Sequence, residues 1–275
     1  MGGNVLMSSM SRSLFSLTLL LSTPAVARDN GAQDSQWVLD QSGYYCALAA
    51  KLSGPSPATL ILRTLPGTWT VDVLLLGDQR IDKIAHARDR ISIRFLPVGA
   101  VQFRQPGLVL ADGNKTVAMR ALPDDIVRDF ATSSAIELDA DNKPAITYSL
   151  PPTATAAAAL NRCVADQLVE AGADPTGFDP GATHPTPIGE LYKWVDMPMS
   201  NVRILALLDL DGTGKATNCQ VMEASGISDP QKICRRLLER ARYVPARDPK
   251  GRPIKSIVVY DLDVIVRDTI TIKSI

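Results

Sequence analysis

The sequence predicts an α+β protein: a β-rich N-terminal domain with one or two helices, then a small ββαβ C-terminal domain. Three observations predict it. Between Trp37 and Arg120, short apolar runs such as WVLD, ATLILRTL, WTVDVLLLG, ISIRFLP and AVQFR are broken by Gly, Pro and Asp, a pattern of strands and turns. Two later segments carry helical spacing. From Asn201 onward, an alternating strand, a glycine turn, a second strand, a helical stripe and a long closing strand follow one another.

The N-terminus reads as a secretory signal. Arg12 gives a basic start, Leu14 to Leu21 an apolar run of eight residues, and Ala25-Val26-Ala27 a small-residue cleavage site, so the mature chain is expected to begin at Arg28. That run is short against the roughly 20 residues a membrane-spanning helix needs. A retained anchor is the alternative. Residues 1–27 are therefore assigned to the signal peptide and 28–35 to a disordered mature terminus. Residues 36–172 are assigned to the β-rich domain, 173–187 to a linker and 188–275 to the C-terminal domain.

Within the β-rich domain, Pro123 followed by Asp124 and Asp125 reads as a helix start, because the N-terminal dipole favours acids. Ile126, Val127 and Phe130 supply the apolar side of a helix ending near Ala131. ELDADNKPAITYSL then reads as a strand or hairpin. A second helix begins near Thr153, after Pro151-Pro152, and Ala157, Leu160, Cys163 or Val164, Leu168 and Val169 form its stripe. Gly172 is its expected C-cap. The Pro-, Gly- and Asp-rich segment ADPTGFDPGATHPTP has no periodicity and reads as the linker.

In the last third, Val202, Ile204, Ala206, Leu208 and Leu210 share one face of a strand. Asp211-Gly212-Thr213-Gly214 makes the turn, and a second strand runs from about Lys215 to Ala224. Asp229 is the expected N-cap of the next helix, with Pro230 at its first position. Cys234, Leu237, Leu238 and Ala241 line one side of that helix. The closing strand is Ile254 to Val266. Val258, Tyr260, Leu262, Val264 and Val266 lie on one face, with Ile257, Val259, Asp261, Asp263 and Ile265 on the other.

Four cysteines behind a signal peptide read as disulfides, and four allow three pairings. One bridge per half, Cys46–Cys163 and Cys219–Cys234, is the favoured arrangement, with free buried thiols as the alternative. The first bridge would close a loop of more than 100 residues, worth about 4.7 kcal/mol by loop entropy, and the second about 3 kcal/mol. No C-x-x-C pair exists, and the two histidines are isolated from the cysteines, so no metal or cofactor is expected.

Formal net charge is zero, which suggests neither nucleic acid nor an anionic membrane as partner. Arg28 to Pro180 holds 14 basic and 18 acidic residues, and Gly181 to Ile275 holds 14 and 11. The second half therefore presents the more basic surface, through Arg235, Arg236, Arg240, Arg242, Arg247, Lys250 and Arg252. A solvated helix face with a charged turn explains that set as readily as an acidic partner does.

Several features of the last third occur together: the D-G-x-G-K hairpin from Asp211 to Lys215, and Cys219-Gln220-Val221 leading to Ser225-Gly226. They continue with the helix ending Leu238-Glu239-Arg240-Ala241-Arg242-Tyr243, then Pro245-Ala246-Arg247-Asp248 and Gly251-Arg252-Pro253. On these residues the stretch from about Pro187 to Arg267 resembles the C-terminal domain of TonB-type periplasmic proteins. The resemblance implies a periplasmic module that binds a peptide of an outer-membrane receptor, or another envelope protein, by strand addition beside the last strand. It implies Ile257, Val259, Asp261, Asp263 and Ile265 as the partner-binding edge. The same strand could instead complete the sheet or pair with a second copy as a homodimer. Two departures stand out. An energy transducer of this family keeps its N-terminal anchor and a long Pro-rich spacer. This chain has a cleavable-looking signal, a folded domain and only an abbreviated stretch at Trp194 to Met199.

Catalytic constellations are sparse. No G-x-S-x-G, H-E-x-x-H or phosphate-cradling glycine loop is present. His86 and His184 read as surface residues, Ser225 as a turn residue, and Trp37, Trp69 and Trp194 as core anchors or packing at domain edges. Asp209-x-Asp211-Gly212 and Asp139-x-Asp141-Asn142 lack the glycine and glutamate of a calcium loop and read as hairpin turns. The expectation is a non-enzymatic periplasmic binding protein, and the resemblance implies a link to TonB-type outer-membrane transport. The alternatives are an energy transducer with a retained anchor and an envelope enzyme with its site in the first domain.

Overall fold

The structure, a computed structural model, describes residues 37–41, 43–77, 90–97, 103–106, 116–140, 144–190, 202–266 and 270–274. The expected signal peptide and terminus, His86, Asp141-Asn142 and the stretch from Trp194 to Met199 lie outside them.

Two antiparallel sheets build the first core. One has the order β1-β2-β3-β4-β7, from β1 (Trp37–Asp40), β2 (Cys46–Leu52), β3 (Ala58–Thr64), β4 (Thr70–Gly77) and β7 (Thr116–Pro123). The other has the order β6-β5-β8-β9, from β5 (Arg90–Leu96), β6 (Phe103–Pro106), β8 (Ala135–Ala140) and β9 (Ile146–Ser149). Alternation decides which side of each strand is buried. In β3 every second residue is buried, and Leu60 and Leu62 pair with Leu75 and Val73. These side chains share one hydrophobic cluster with Ile91, Ile93, Ile136, Leu138 and Tyr148 of the other sheet.

Helix α1 (Ile126–Ala131) and helix α2 (Ala154–Glu170) add Phe130, Ala157, Leu160 and Cys163 to that cluster. The Trp37 and Phe130 rings meet edge to face at 5.1 Å. Cys163 is bonded to Cys46, with their Cα atoms 6.1 Å apart, so the disulfide ties α2 to the second strand of the chain.

A four-stranded antiparallel sheet, β12-β11-β14-β15, forms the second core. Its strands are β11 (Val202–Leu210), β12 (Ala216–Ser225), β14 (Ser256–Val266) and β15 (Ile270–Ser274). Asp211 closes the β11–β12 turn by accepting from the amides of Thr213 (2.8 Å) and Lys215 (3.1 Å). Gly214 there has φ +79°, and a Cβ on it would collide with the Tyr243 carbonyl. Helix α3 (Pro230–Arg240) starts as expected, with the Asp229 carboxylate accepting from the Lys232 amide. Its Ile233 and Leu237, with Ala241 just beyond, pack on Ile204, Ala206, Leu208, Leu210, Val258, Tyr260 and Leu262. Cys219 and Cys234 are joined from sheet to helix, Cα to Cα 5.4 Å.

The opposite face of this sheet is also covered. Leu205 and Val259 pack with Leu65 from the β3–β4 turn, and Ile257 packs with Leu168 and Ala173. The Val259 amide donates to the Gly67 carbonyl at 3.0 Å, and the Arg203 guanidinium donates to the Tyr45 hydroxyl at 3.2 Å. The near-continuous apolar run SIVVYDLDVIV thus belongs to a strand with partners on both faces. Residues 36–275 form one compact unit.

Residues 173–187 are fixed to both cores. Asp174 caps a 3₁₀ turn, Pro175–Phe178, through the Thr176 amide, and its own amide donates to Lys255. Thr183 and Arg247 exchange backbone hydrogen bonds. The two-residue strand β10 (Thr186–Pro187) pairs with β13 (Tyr243–Val244).

Candidate functional site

Two places in the fold present groups to a partner: the rims of the second sheet, and a cleft between the first core and the 173–187 segment.

Sequence reasoning put the open rim on β14. The structure places β14 inside the sheet. Leu262 to Val266 pair with β15, so that Asp263 lies opposite Lys273 and Ile265 opposite Thr271. Farther along, Val259 is covered by the Gly67 turn and is 7% exposed, while Ile257 is 1% exposed. The cause is the chain returning on itself beyond residue 266, together with the apposition of the first core. Neither is encoded in the strand's own alternation. The described sheet therefore has its rims at β12 and β15.

Which backbone groups of β12 face outward follows from the ladder. Val259 turns its amide towards Gly67, so its neighbour Leu207 turns its backbone groups towards β12, where it pairs with Gln220. Alternation then leaves the amides and carbonyls of Cys219 and Val221 pointing out of the sheet. The disulfide to Cys234 holds the middle of this rim against α3.

The expected basic surface is largely engaged within the chain. Arg235 bridges the Asp229 carboxylate at 3.0 Å, Arg242 donates to the Ala241 carbonyl, and Arg247 to that of Gly251. Arg252 bridges Asp248 at 2.6 Å. Asp248 is enclosed, which opposes its ionisation, yet the Arg252 amide and guanidinium and the Lys250 amide hold its carboxyl below the ordinary carboxylate range. These contacts shape the turn from Pro245 to Pro253.

The cleft was not legible in the sequence. It has a volume of about 770 Å³ and lies between the β3–β4 turn, α1, α2 and the segment after the 3₁₀ turn. The Trp69 indole and His184 imidazole stack at 3.7 Å with 12° between their planes, and Phe178 lies 6.5 Å from Trp69. His184 Nε2 is 3.6 Å from the Asp124 carboxylate. Trp69 has φ +56°, a strained backbone for a bulky residue. Hydrogen bonds on both sides fix it: Thr68 donates to the Leu65 carbonyl, and Thr64 to that of Thr70.

The electrostatics follow from partial burial. Desolvation pulls the His184 pKa below its ordinary 6.5, with Asp124 opposing. The imidazole is therefore neutral at neutral pH. Desolvation raises the Asp124 pKa, the His184 contact lowers it, and the neighbouring Asp125 charge raises it again. The hydroxyl on the lining, Thr64, is spent on the Thr70 carbonyl, and every described cysteine is in a disulfide. The arrangement suits holding a ligand. The three residues at its heart read separately as an edge tryptophan, a linker histidine and a helix-start aspartate, and no local pattern joins positions 69, 124 and 184.

Among the described residues, no group of three or more His, Cys, Asp or Glu could hold a metal ion, and no helix is long and apolar enough to cross a membrane. Paired, stable disulfides belong to oxidising, extracytoplasmic compartments. No protein-family model, curated protein or solved structure matches this chain.

Proposed function

We propose that this chain is a periplasmic, non-enzymatic binding protein whose C-terminal sheet accepts an extended peptide or protein segment as an added strand. The observation that carries the reading is β12. It is a ten-residue rim strand without proline and with one charged side chain, Glu223, and between its two irregularities at Thr217 and Met222 the residues Asn218 to Val221 keep regular register with β11. The Cys219–Cys234 bridge fixes it in advance of binding, which lowers the ordering cost of adding a strand. The TonB-like turn and helix residues support the same role for the module. Its partner would be an outer-membrane receptor or other envelope protein, with a link to TonB-type transport, or a second copy of the chain. The residues Ile257, Val259, Asp261, Asp263 and Ile265 would then support the sheet from within, and would meet a partner only where β15 gives way.

Val221→Pro tests the proposal. It removes an outward amide while leaving the hydrogen bonds to β11 in place. The purified mature chain should capture a partner from envelope extract, or self-associate, and the Val221→Pro variant should lose that association with little change in thermal midpoint. Equal association by the two proteins, or none by either, overturns the reading.

A further inference from the structure

We propose that the cleft between the first core and the 173–187 segment is a binding site for a small organic cation, an ammonium or guanidinium group carried on an apolar body. This goes beyond strand addition and does not depend on it. Three observations converge. The cleft, at about 770 Å³, has the size of a small-molecule site, and apolar side chains such as Val71, Val127, Leu160 and Val164 furnish much of its wall. At one end, Asp124 and Asp125 stand side by side on the approach to α1. Among the described residues, the group within ion-pair distance of Asp124 is His184, at 3.6 Å, whose pKa burial holds below its ordinary 6.5.

Among the described residues, no lysine or arginine bridges this partly desolvated carboxylate, which has a second carboxylate beside it, and a ligand cation supplies that charge. The Trp69 ring, stacked on His184, closes the apolar wall at the same end. The strained backbone at Trp69 fits this role, since such conformations persist where surrounding structure enforces them and cluster at ligand sites. Arg128 and Arg162 also line the cleft, and neither is bridged to Asp124 or Asp125 among the described residues. An anionic ligand is therefore the informative competitor.

Three probes of one shape separate the possibilities: 2-phenylethylammonium, neutral 2-phenylethanol and anionic phenylacetate. They are titrated against the mature, oxidised protein at neutral pH, and binding is followed by the Trp69 indole and His184 ring resonances. The ammonium probe should bind at least about ten-fold more tightly than the alcohol, and phenylacetate should bind more weakly than either. Asp124→Asn should weaken the ammonium probe by about ten-fold, whereas Asp166→Asn on α2, outside the cleft lining, should not. If Asp124→Asn does not fold, the wild-type affinity for the ammonium probe must fall as salt is raised, while that for the alcohol stays constant. Equal affinity for all three probes overturns the proposal. So does tightest binding of phenylacetate, which would assign the cleft to anions held by Arg128 and Arg162. Full affinity in Asp124→Asn would also refute it.

Discussion

Gly67→Ala strikes the point where the two cores touch through backbone. Gly67 has φ +91°, and a Cβ there would lie 2.9 Å from the Val259 nitrogen and 3.2 Å from the Val258 carbonyl carbon. Neither neighbour is a flexible side chain, so the β3–β4 turn must lift from β14. The left-handed conformation costs an L-residue about 1–2 kcal/mol. Weakening the hydrogen bond from the Val259 amide to the Gly67 carbonyl costs about 0.5–1.5 kcal/mol net. Leu65 beside it, 6% exposed, loses part of its contact with Leu205 and Val259, so a total of about 2–4 kcal/mol is expected. For a protein of this size that lowers the thermal midpoint by about 5–15 °C. Thermal unfolding by near-UV circular dichroism reads the midpoint, and hydrogen exchange reads the Val259 amide, which should lose protection before the rest of β14. A variant within about 0.5 kcal/mol of wild type, with the Val259 amide still protected, would refute the view that this turn fastens the cores together.

Two further outcomes are expected. The double variant Cys219→Ser with Cys234→Ser should lose about 3 kcal/mol, the entropy of a loop spanning 15 residues, as measured by urea unfolding under oxidising conditions. Partner capture through β12 should weaken with it. His184, whose folded pKa lies below its unfolded value, is protonated first in the unfolded chain. Stability therefore falls as pH drops through the region below 6.5, where the unfolded state binds more protons. Asp124, with a raised folded pKa, acts in the opposite sense at more acid pH, above 3.8. Urea midpoints at about pH 7.5 and about pH 5.5 should converge in His184→Gln relative to wild type, and an unchanged difference would remove His184 from that slope.

Wherever a structural signal was local, it could be read from the chain. Asp229 and Pro230 start a helix because a carboxylate there satisfies a free amide and proline needs none, and the helix begins there. Val202 to Leu210 form a strand because their alternation can bury one face, and the described strand has the same bounds. The favoured disulfide pairing, one bridge per half, is the one the structure shows, with Cys219 and Cys234 meeting across one core and Cys163 of a helical stripe meeting Cys46 on an early strand.

By itself, then, the sequence determined the α+β class, both helices of the first core and the β-β-α-β order of the second, and it favoured the pairing of the four thiols that the structure shows. Periodicity, capping and turn chemistry act over a few residues and are written in those residues. The tertiary structure decided that β14 is not an open rim, that residues 173–187 are pinned to both cores, and that Trp69, Asp124 and His184 meet. The last two outcomes depend on which surfaces come together over separations of more than 50 residues, and the first on a further strand folding back beside β14 as well as on the first core. Ile257 and Val259 are apolar on a face that alternation alone would give to solvent, and only the arrival of Leu65, Leu168 and Gly67 supplies the physical reason.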